Sequence, residues 1–263
     1  MSLRYSVLAY AITPVHVGSG RSPGVVDLPF QRDSIGYPIV YASSFKGVLK
    51  SFLLRKDGNL ARCLFGAEVE DTDKSMGRFI ITDLIPVFYP VASLDKGYVY
   101  ITTEYLVNRA QDILDVLNNK LFSMTQKEEE VNVLLNKQKT TNIIELDEKI
   151  KNLGSLIKNM DKIYVFNNDV GLRLIENALI RIARNVLDEN KKSINLWTEE
   201  YVPQGTIFIG GLIDGERNNS FCSNKNDDIN QLVSRYLNDI AIFLGGKETI
   251  GKGLIRLKVN KLD

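Results

Sequence analysis

The sequence holds one histidine, His16, one tryptophan, Trp197, and two cysteines, Cys63 and Cys222, in 263 residues. Two cysteines so far apart predict neither a zinc cluster nor a disulfide framework. No apolar run reaches the length of a membrane span, and the opening MSLRYSVLAY lacks the layout of a secretory signal. The expectation is a cytoplasmic protein with no membrane partner. An excess of charge is missing too: 33 basic residues face 32 acidic ones, for a net charge of +1. That excludes a protein that coats nucleic acid by bulk charge, but not one whose basic groups line a single groove.

What is present suits one large domain, or one domain with a sizeable insertion. Hydrophobic residues make up 44% of the chain, enough to fill a core. RYSVLAYAIT (4–13) reads as a strand that ends at Pro14. YASSFKGVLKSFLLRK reads as a helix capped by Ser43 or Ser44, with Phe45, Val48, Leu49, Phe52 and Leu53 on one face. GRFIITDLIPV and KGYVYITTEYL predict two further strands. Beyond them Leu106, Ala110, Ile113, Leu114, Leu117 and Leu121 form one helical stripe, and Leu146, Ile150, Leu153, Ile157 and Met160 another. KIYVF and GTIFIGGLI read as strands, DINQLVSRYLNDIAIFL as an amphipathic helix, and LIRLKV as a final strand. LRLIENALIRIARNVL has helical spacing at least in its first half, and DENKKS after it is a turn signal. The order at the two chain ends predicts an α+β fold of ferredoxin type, with the middle inserted.

Two stretches carry possible chemistry. GVVDLPFQRD (24–33) breaks the alternation of a half-buried strand, and Pro29 restricts Leu28 to extended conformations, so Asp27 sits in a shaped loop. The usual fate of a loop aspartate is an Asx-turn. GGKETIGKG (245–253) has glycines that let backbone amides approach a phosphate, and lysines that add point charge. It lacks the spacing of a Walker motif, so a nucleoside triphosphate site is not expected.

TPVHVGSG, GVVDLPFQRD, YPIVYASSFKGVLKSFL, GRFIITDLIPVFYPVASLDKG, LWTEEYVP and GGKETIGKG follow one another in an order that resembles the RAMP proteins of CRISPR systems. Within them the chain is similar to the repeated backbone subunit of the type III-B (Cmr) effector. One departure is Ala92, which stands where that family usually has a basic residue. The resemblance implies a ferredoxin/RRM-like palm over 1–103 and 204–263, an inserted helical fingers subdomain over about 104–180, and a β-hairpin thumb over about 181–203. The helix before the thumb would then end near Ile180. It also implies a function: a crRNA-binding subunit stacked in a helical filament with further copies of itself and other Cmr subunits. Bound target RNA would be cut at regular intervals by metal-assisted 2′-OH attack.

On this resemblance Asp27 matches the catalytic position and is the expected ligand of Mg²⁺ or Mn²⁺. Lys46, Lys50, Lys247 and Lys252, together with Gly246, Gly251 and Gly253, are the expected RNA-binding residues. His16 is an RNA contact in preference to an acid–base catalyst. Trp197 belongs to the thumb, as a hairpin anchor more than as a stacking platform. Asp33 is expected to pair with Arg32. Two alternatives compete with this reading: a non-catalytic crRNA scaffold, and a stand-alone crRNA-processing endoribonuclease. A single histidine leaves little for the second.

Overall fold

The computed structural model describes residues 2–21, 24–158, 160–217, 219–222 and 229–261. Ser22 and Pro23 of the loop before Asp27, and Asp228 at the start of an expected helix, lie outside the described residues. The first half of the chain gives β1 (Arg4–Ala11), α1 (Ala42–Leu54), α2 (Gly58–Phe65), β2 (Phe79–Ile81), β3 (Ile85–Ser93), β4 (Gly97–Thr103) and α3 (Glu104–Val116). There follow β5 (Phe122–Gln126), β6 (Glu130–Val133), β7 (Asn136–Lys139), β8 (Asn142–Leu146), α4 (Glu148–Lys151), α5 (Ser155–Lys158), β9 (Ile163–Phe166) and α6 (Asn168–Ala178). The remainder comprises β10 (Ile180–Leu187), β11 (Ser193–Tyr201), β12 (Ile207–Asp214), α7 (Ile229–Tyr236), β13 (Ile240–Phe243), a single 3₁₀ turn at Glu248–Ile250, and β14 (Leu254–Lys261).

Among the described residues, ten strands form one mixed sheet in the order β13-β14-β1-β12-β3-β4-β9-β8-β5, with β2 also paired to β12. Its heart is the run β14-β1-β12-β3, antiparallel at every step. That is the split βαβ order of a ferredoxin-like sheet, with β12 lying between β1 and β3. All of the chain from β4 to β11 is inserted between β3 and β12. β1 and β12 are buried along nearly their whole length, which follows from their central place.

Several expectations change. GRFIITDLIPV is two strands, broken at Thr82–Leu84. There the Thr82 hydroxyl accepts the Gly211 N–H at 2.8 Å, and a Cβ on Gly210 would stand 3.0 Å from the Asp83 carbonyl oxygen. The break thus rests on two glycines in the facing strand. Neither Ser43 nor Ser44 caps α1. Tyr41 is the cap residue, and the Asp83 carboxylate accepts the Ala42 N–H at 2.8 Å from outside the helix. The insertion is not a helical subdomain, because four strands, β5 to β8, lie between α3 and α4. Three of its strands, β9, β8 and β5, extend the main sheet. The last expected helix stops at Tyr236. Asp239, at a φ of 53°, turns the chain, and Ile240–Phe243 pairs with β14 as an edge strand.

The two cysteines form a disulfide. Cys63 of α2 and Cys222 are 159 residues apart in sequence, but their Cα atoms are 4.9 Å apart. Distance along the chain was the wrong measure, since α2 and the segment after β12 pack together. Asn219 supports the approach by donating to the Cys63 carbonyl at 3.1 Å. Such bridges are rare in cytosolic proteins outside hyperthermophiles. Among the described residues no helix is long and apolar enough to cross a membrane.

Candidate RNA-cleavage site at the hairpin base

β10 and β11 form a two-stranded hairpin separate from the main sheet. DENKKS supplies its turn: the Asp188 carboxylate accepts the N–H groups of Asn190 and Lys192 at 2.9 and 2.8 Å. At the other end of the hairpin, residues 197–202 of β11 and its exit gather four sequence motifs. Val15 pairs with Val202, and His16 pairs with Gly245. Leu28 runs parallel to β11 beside Glu199, its N–H donating to the Thr198 carbonyl at 3.0 Å and its carbonyl accepting the Glu200 N–H at 3.1 Å.

That parallel ladder explains the odd composition of VVDLPF. Val26 and Phe30 are buried, Val25 is almost fully exposed, and Asp27 is exposed between them. The Asp27 carboxylate takes a place that a ladder carbonyl would fill. Its Oδ2 accepts the Thr198 N–H at 2.8 Å and the Thr198 hydroxyl at 2.9 Å, while the Asp27 N–H donates to Thr198 Oγ1 at 2.9 Å. These are bonds across the fold, not the local Asx-turn that a loop aspartate usually makes. The backbone and hydroxyl donors of Thr198, in that order, hold the Asp27 pKa below the ordinary carboxylate range, and Arg21 adds to the effect. No hydrogen bond from the described residues reaches Oδ1.

Alternation along β11 separates two sets of partners. Thr198 and Glu200 meet the Asp27–Asp33 loop. Glu200 is buried and accepts from Arg32 at 2.8 Å, from Arg181 at 3.2 Å and from the Phe30 N–H at 3.2 Å; Glu176 of α6 pairs with both arginines. Trp197, Glu199 and Tyr201 meet the glycine-rich loop. Glu199 is fully buried; its carboxylate accepts from Lys247 at 2.6 Å, from Trp197 Nε1 at 2.7 Å and from the Tyr201 hydroxyl. Burial pushes the Glu199 pKa up, but these three donors outweigh it and hold the carboxyl at about 2.

The expected RNA-binding residues divide accordingly. Lys252 makes no ion pair among the described residues and lies over the Tyr201 ring, 5.4 Å from its centre. Lys247 is committed to Glu199. Lys50 is not an RNA contact in this arrangement: its ammonium donates to the Ala67 carbonyl at 2.8 Å and pairs with Glu68 at 2.6 Å. Lys46 has no ion pair among the described residues and lines a cleft of about 260 Å³ with Lys74 and Arg217.

The backbone amides of Gly246, Gly251 and Gly253 do not cradle a phosphate. They donate instead to the carbonyls of His16, Glu248 and Pro14, at 2.8, 2.9 and 2.8 Å. Gly253 is required for another reason, since at its φ of 81° a Cβ would lie 2.4 Å from the Leu244 carbonyl oxygen.

His16 is buried, not exposed for RNA; its Nδ1 lies 2.6 Å from the Glu200 carbonyl and donates to it. Trp197 is half-buried and tied to Glu199, an anchor of the hairpin base. Asp33 pairs with Arg109 at 3.1 Å and with the Tyr105 hydroxyl at 2.9 Å, and not with Arg32. Thr198, Glu199 and Glu200 escaped the sequence reading. They were read only as part of LWTEEYVP, one of the motifs behind the resemblance, with no role of their own.

The chain matches the RAMP superfamily over residues 9–256. It is 30% identical to the CRISPR system CMR subunit Cmr4 of Saccharolobus solfataricus, over 94% of each chain. It is 27% identical to the CRISPR system Cmr endoribonuclease Cmr4 of Pyrococcus furiosus, over 98% of this chain and 96% of that one. Among solved structures it resembles a chain of the type III-B Cmr-beta complex bound to cognate target RNA, with a TM-score of 0.75 and 27% identity over 97% of this chain and 96% of that one. Oligomeric Cmr4 from Pyrococcus furiosus has the same fold, with a TM-score of 0.65 at 21% identity over the whole of both chains. With nearly its entire length matched, and with relatives covered end to end, the chain belongs to the RAMP superfamily as a homologue of the Cmr4 subunit.

Proposed function

We propose that this chain is a crRNA-binding backbone subunit of a type III-B CRISPR interference complex, and that it cuts bound target RNA with Asp27 as the catalytic carboxylate. The ferredoxin-like sheet is the palm, the β4–α6 insertion the fingers and the β10–β11 hairpin the thumb. Copies stack head-to-tail, an arrangement that continues without closing. The observation that carries the reading is an exposed, ionised carboxylate fixed to the root of a hairpin. A hairpin pushed between guide and target displaces a nucleotide at its own base, where Asp27 stands.

In regular A-form RNA the 2′-OH is not in line with the scissile P–O bond. Once the nucleotide is splayed, in-line attack becomes possible, and Asp27 Oδ1 accepts a hydrogen bond from the 2′-OH and aims its oxygen at phosphorus. The lowered pKa makes Asp27 a weak base but keeps it charged, which suits orientation and ion binding.

No group of three or more acidic, histidine or cysteine side chains converges among the described residues. Asp27 is the protein ligand assigned here to Mg²⁺ or Mn²⁺. A single carboxylate fits ions that take their other ligands from water and phosphate oxygens. Such an ion, when bound, stabilises charge developing on the phosphate. Lys252 supplies a fixed positive charge beside the same hairpin base.

The test is Asp27→Asn in the assembled complex. Asparagine keeps an oxygen for the Thr198 N–H, so the ladder stays intact while the charge is lost. Target cleavage is expected to fall by at least ~10²-fold, the lower range for a positioned acid–base group, with guide binding and assembly unchanged. Full cleavage by a well-assembled variant would leave the protein a scaffold.

A further inference from the structure

Docking and aiming of the Asp27 loop are carried by different atoms. The loop is docked by backbone ladder bonds: Leu28 N–H to the Thr198 carbonyl, Glu200 N–H to the Leu28 carbonyl, and Gln31 N–H to the Val17 carbonyl. None of them fixes the direction of the Asp27 side chain. That is done at Oδ2 by the Thr198 N–H and the Thr198 hydroxyl, the same hydroxyl that accepts the Asp27 N–H. The hydroxyl thus closes a ring of hydrogen bonds around the Asp27 backbone and carboxylate. A carboxylate held by the Thr198 N–H alone turns about that one bond; the hydroxyl is the second point that fixes its plane. With both donors on one oxygen, the other is left without a hydrogen bond from the described residues.

We infer that Thr198 is a positioning residue for cleavage: its hydroxyl, added to its N–H, fixes the plane of the Asp27 carboxylate, and so couples that carboxylate to the hairpin. The inference rests on Asp27 being catalytic. It goes further by making the element that splays the nucleotide also the element that aims the attack. Movement of the hairpin base on RNA binding is transmitted to Oδ1 through one side chain.

Thr198→Val keeps the β-branched shape, the Thr198 N–H and the ladder, and removes only the hydroxyl. Thr198→Ser restores it. Both variants are compared with Asp27→Asn in the reconstituted complex, following target-RNA binding and cleavage rate. Thr198→Val is expected to slow cleavage by about 10–100-fold, the usual cost of losing a partner that orients a reacting group, with target binding unchanged. Thr198→Ser cuts near the wild-type rate.

Wild-type cleavage by Thr198→Val alongside a dead Asp27→Asn overturns the inference and leaves Asp27 catalytic. Equal damage from Val and Ser also overturns it, since the hydroxyl is then not what matters. Full cleavage by Asp27→Asn removes both readings at once. Should Thr198→Val not enter the complex, Thr198→Ala, which also lacks the hydroxyl, takes its place: wild-type cleavage by that variant overturns the inference, and slowed cleavage beside a fast Thr198→Ser supports it.

Discussion

Glu199 is fully buried yet ionised, because Lys247, Tyr201 and Trp197 all donate to it. Its folded-state pKa of about 2 lies below the ordinary value of 4.5, so its contribution to stability is present above pH ~4.5 and is lost as pH falls toward 2. Glu199→Gln should cost about 1–3 kcal/mol at neutral pH, the range for a buried polar group that loses a partner. It should also flatten the acid limb of unfolding, as chemical denaturation at several pH values would read out. A loss as large as that of a dry ion pair is not expected, because Lys247 keeps about a third of its side chain in solvent.

The lysines make a second contrast. Lys252→Ala should reduce the salt dependence of RNA binding by a slope of about 0.7, the single-strand value for one phosphate contact. Lys50→Ala should leave that slope unchanged, since its charge is spent on Glu68. Titrations at several salt concentrations distinguish the two. That Asp27 sits in a shaped loop was legible in GVVDLPFQRD, whereas a catalytic role for it came only with the family resemblance. The buried ion pair of Glu199 was not legible, because its lysine lies far along the chain and spacing carries no trace of that.

At the scale of elements, the hairpin is the most telling piece. Its distal half exposes Ile194 and Leu196 to 68% and 67%, and Val186 and Leu187 to 43% and 48%. Leu196 lies opposite Asn185 and Val186 opposite Asn195, so apolar side chains occur on both faces of the ribbon. A two-stranded ribbon with so little of its own to pack against calls for an outside surface. Replacing Ile194 and Leu196 together by serine should weaken association between copies, measured by sedimentation. The melting temperature of the single chain should barely change, since exposed positions contribute within about 0.5 kcal/mol.

The same ribbon was readable only in part: DENKKS marked its turn, but LRLIENALIRIARNVL before it has helical spacing, and the hairpin was implied by the family resemblance. β5 to β8 were not. Leucines flanking them at helical spacing masked strands whose alternation is short; β5 pairs with β8, and β6 with β7 in a small sheet of its own. In the last expected helix, IAIF was absorbed into the preceding helical period, although its real partner is β14. Strand pairing decided these cases, and a helical period cannot register it.

For the molecule as a whole, the Cys63–Cys222 bridge ties α2 to the segment after β12. A covalent link across so long a stretch removes much freedom from the unfolded chain, typically about 2–5 kcal/mol. Cys63→Ser should lower the melting temperature, and a reductant should bring the wild type to the same value. RNA cleavage at moderate temperature should be unaffected, because the bridge touches none of the residues at the hairpin base.

The ferredoxin-like order was legible because it is written at the two ends of the chain, and that placement bears on how the protein is made. β1 needs both β12 and β14 beside it, while Asp27, Thr198 and Lys252 come from the beginning, the last third and the very end of the chain. As the chain emerges from a ribosome, its first strand waits for β12 and β14, far along the sequence, before its neighbours exist. Nearly every contact at the hairpin base is long-range too, the kind that forms slowly and late. Until the glycine-rich loop is made, Glu199 has no lysine to pair with, and the first strand and the Asp27 loop travel as unpaired chain whose exposed edges need shielding.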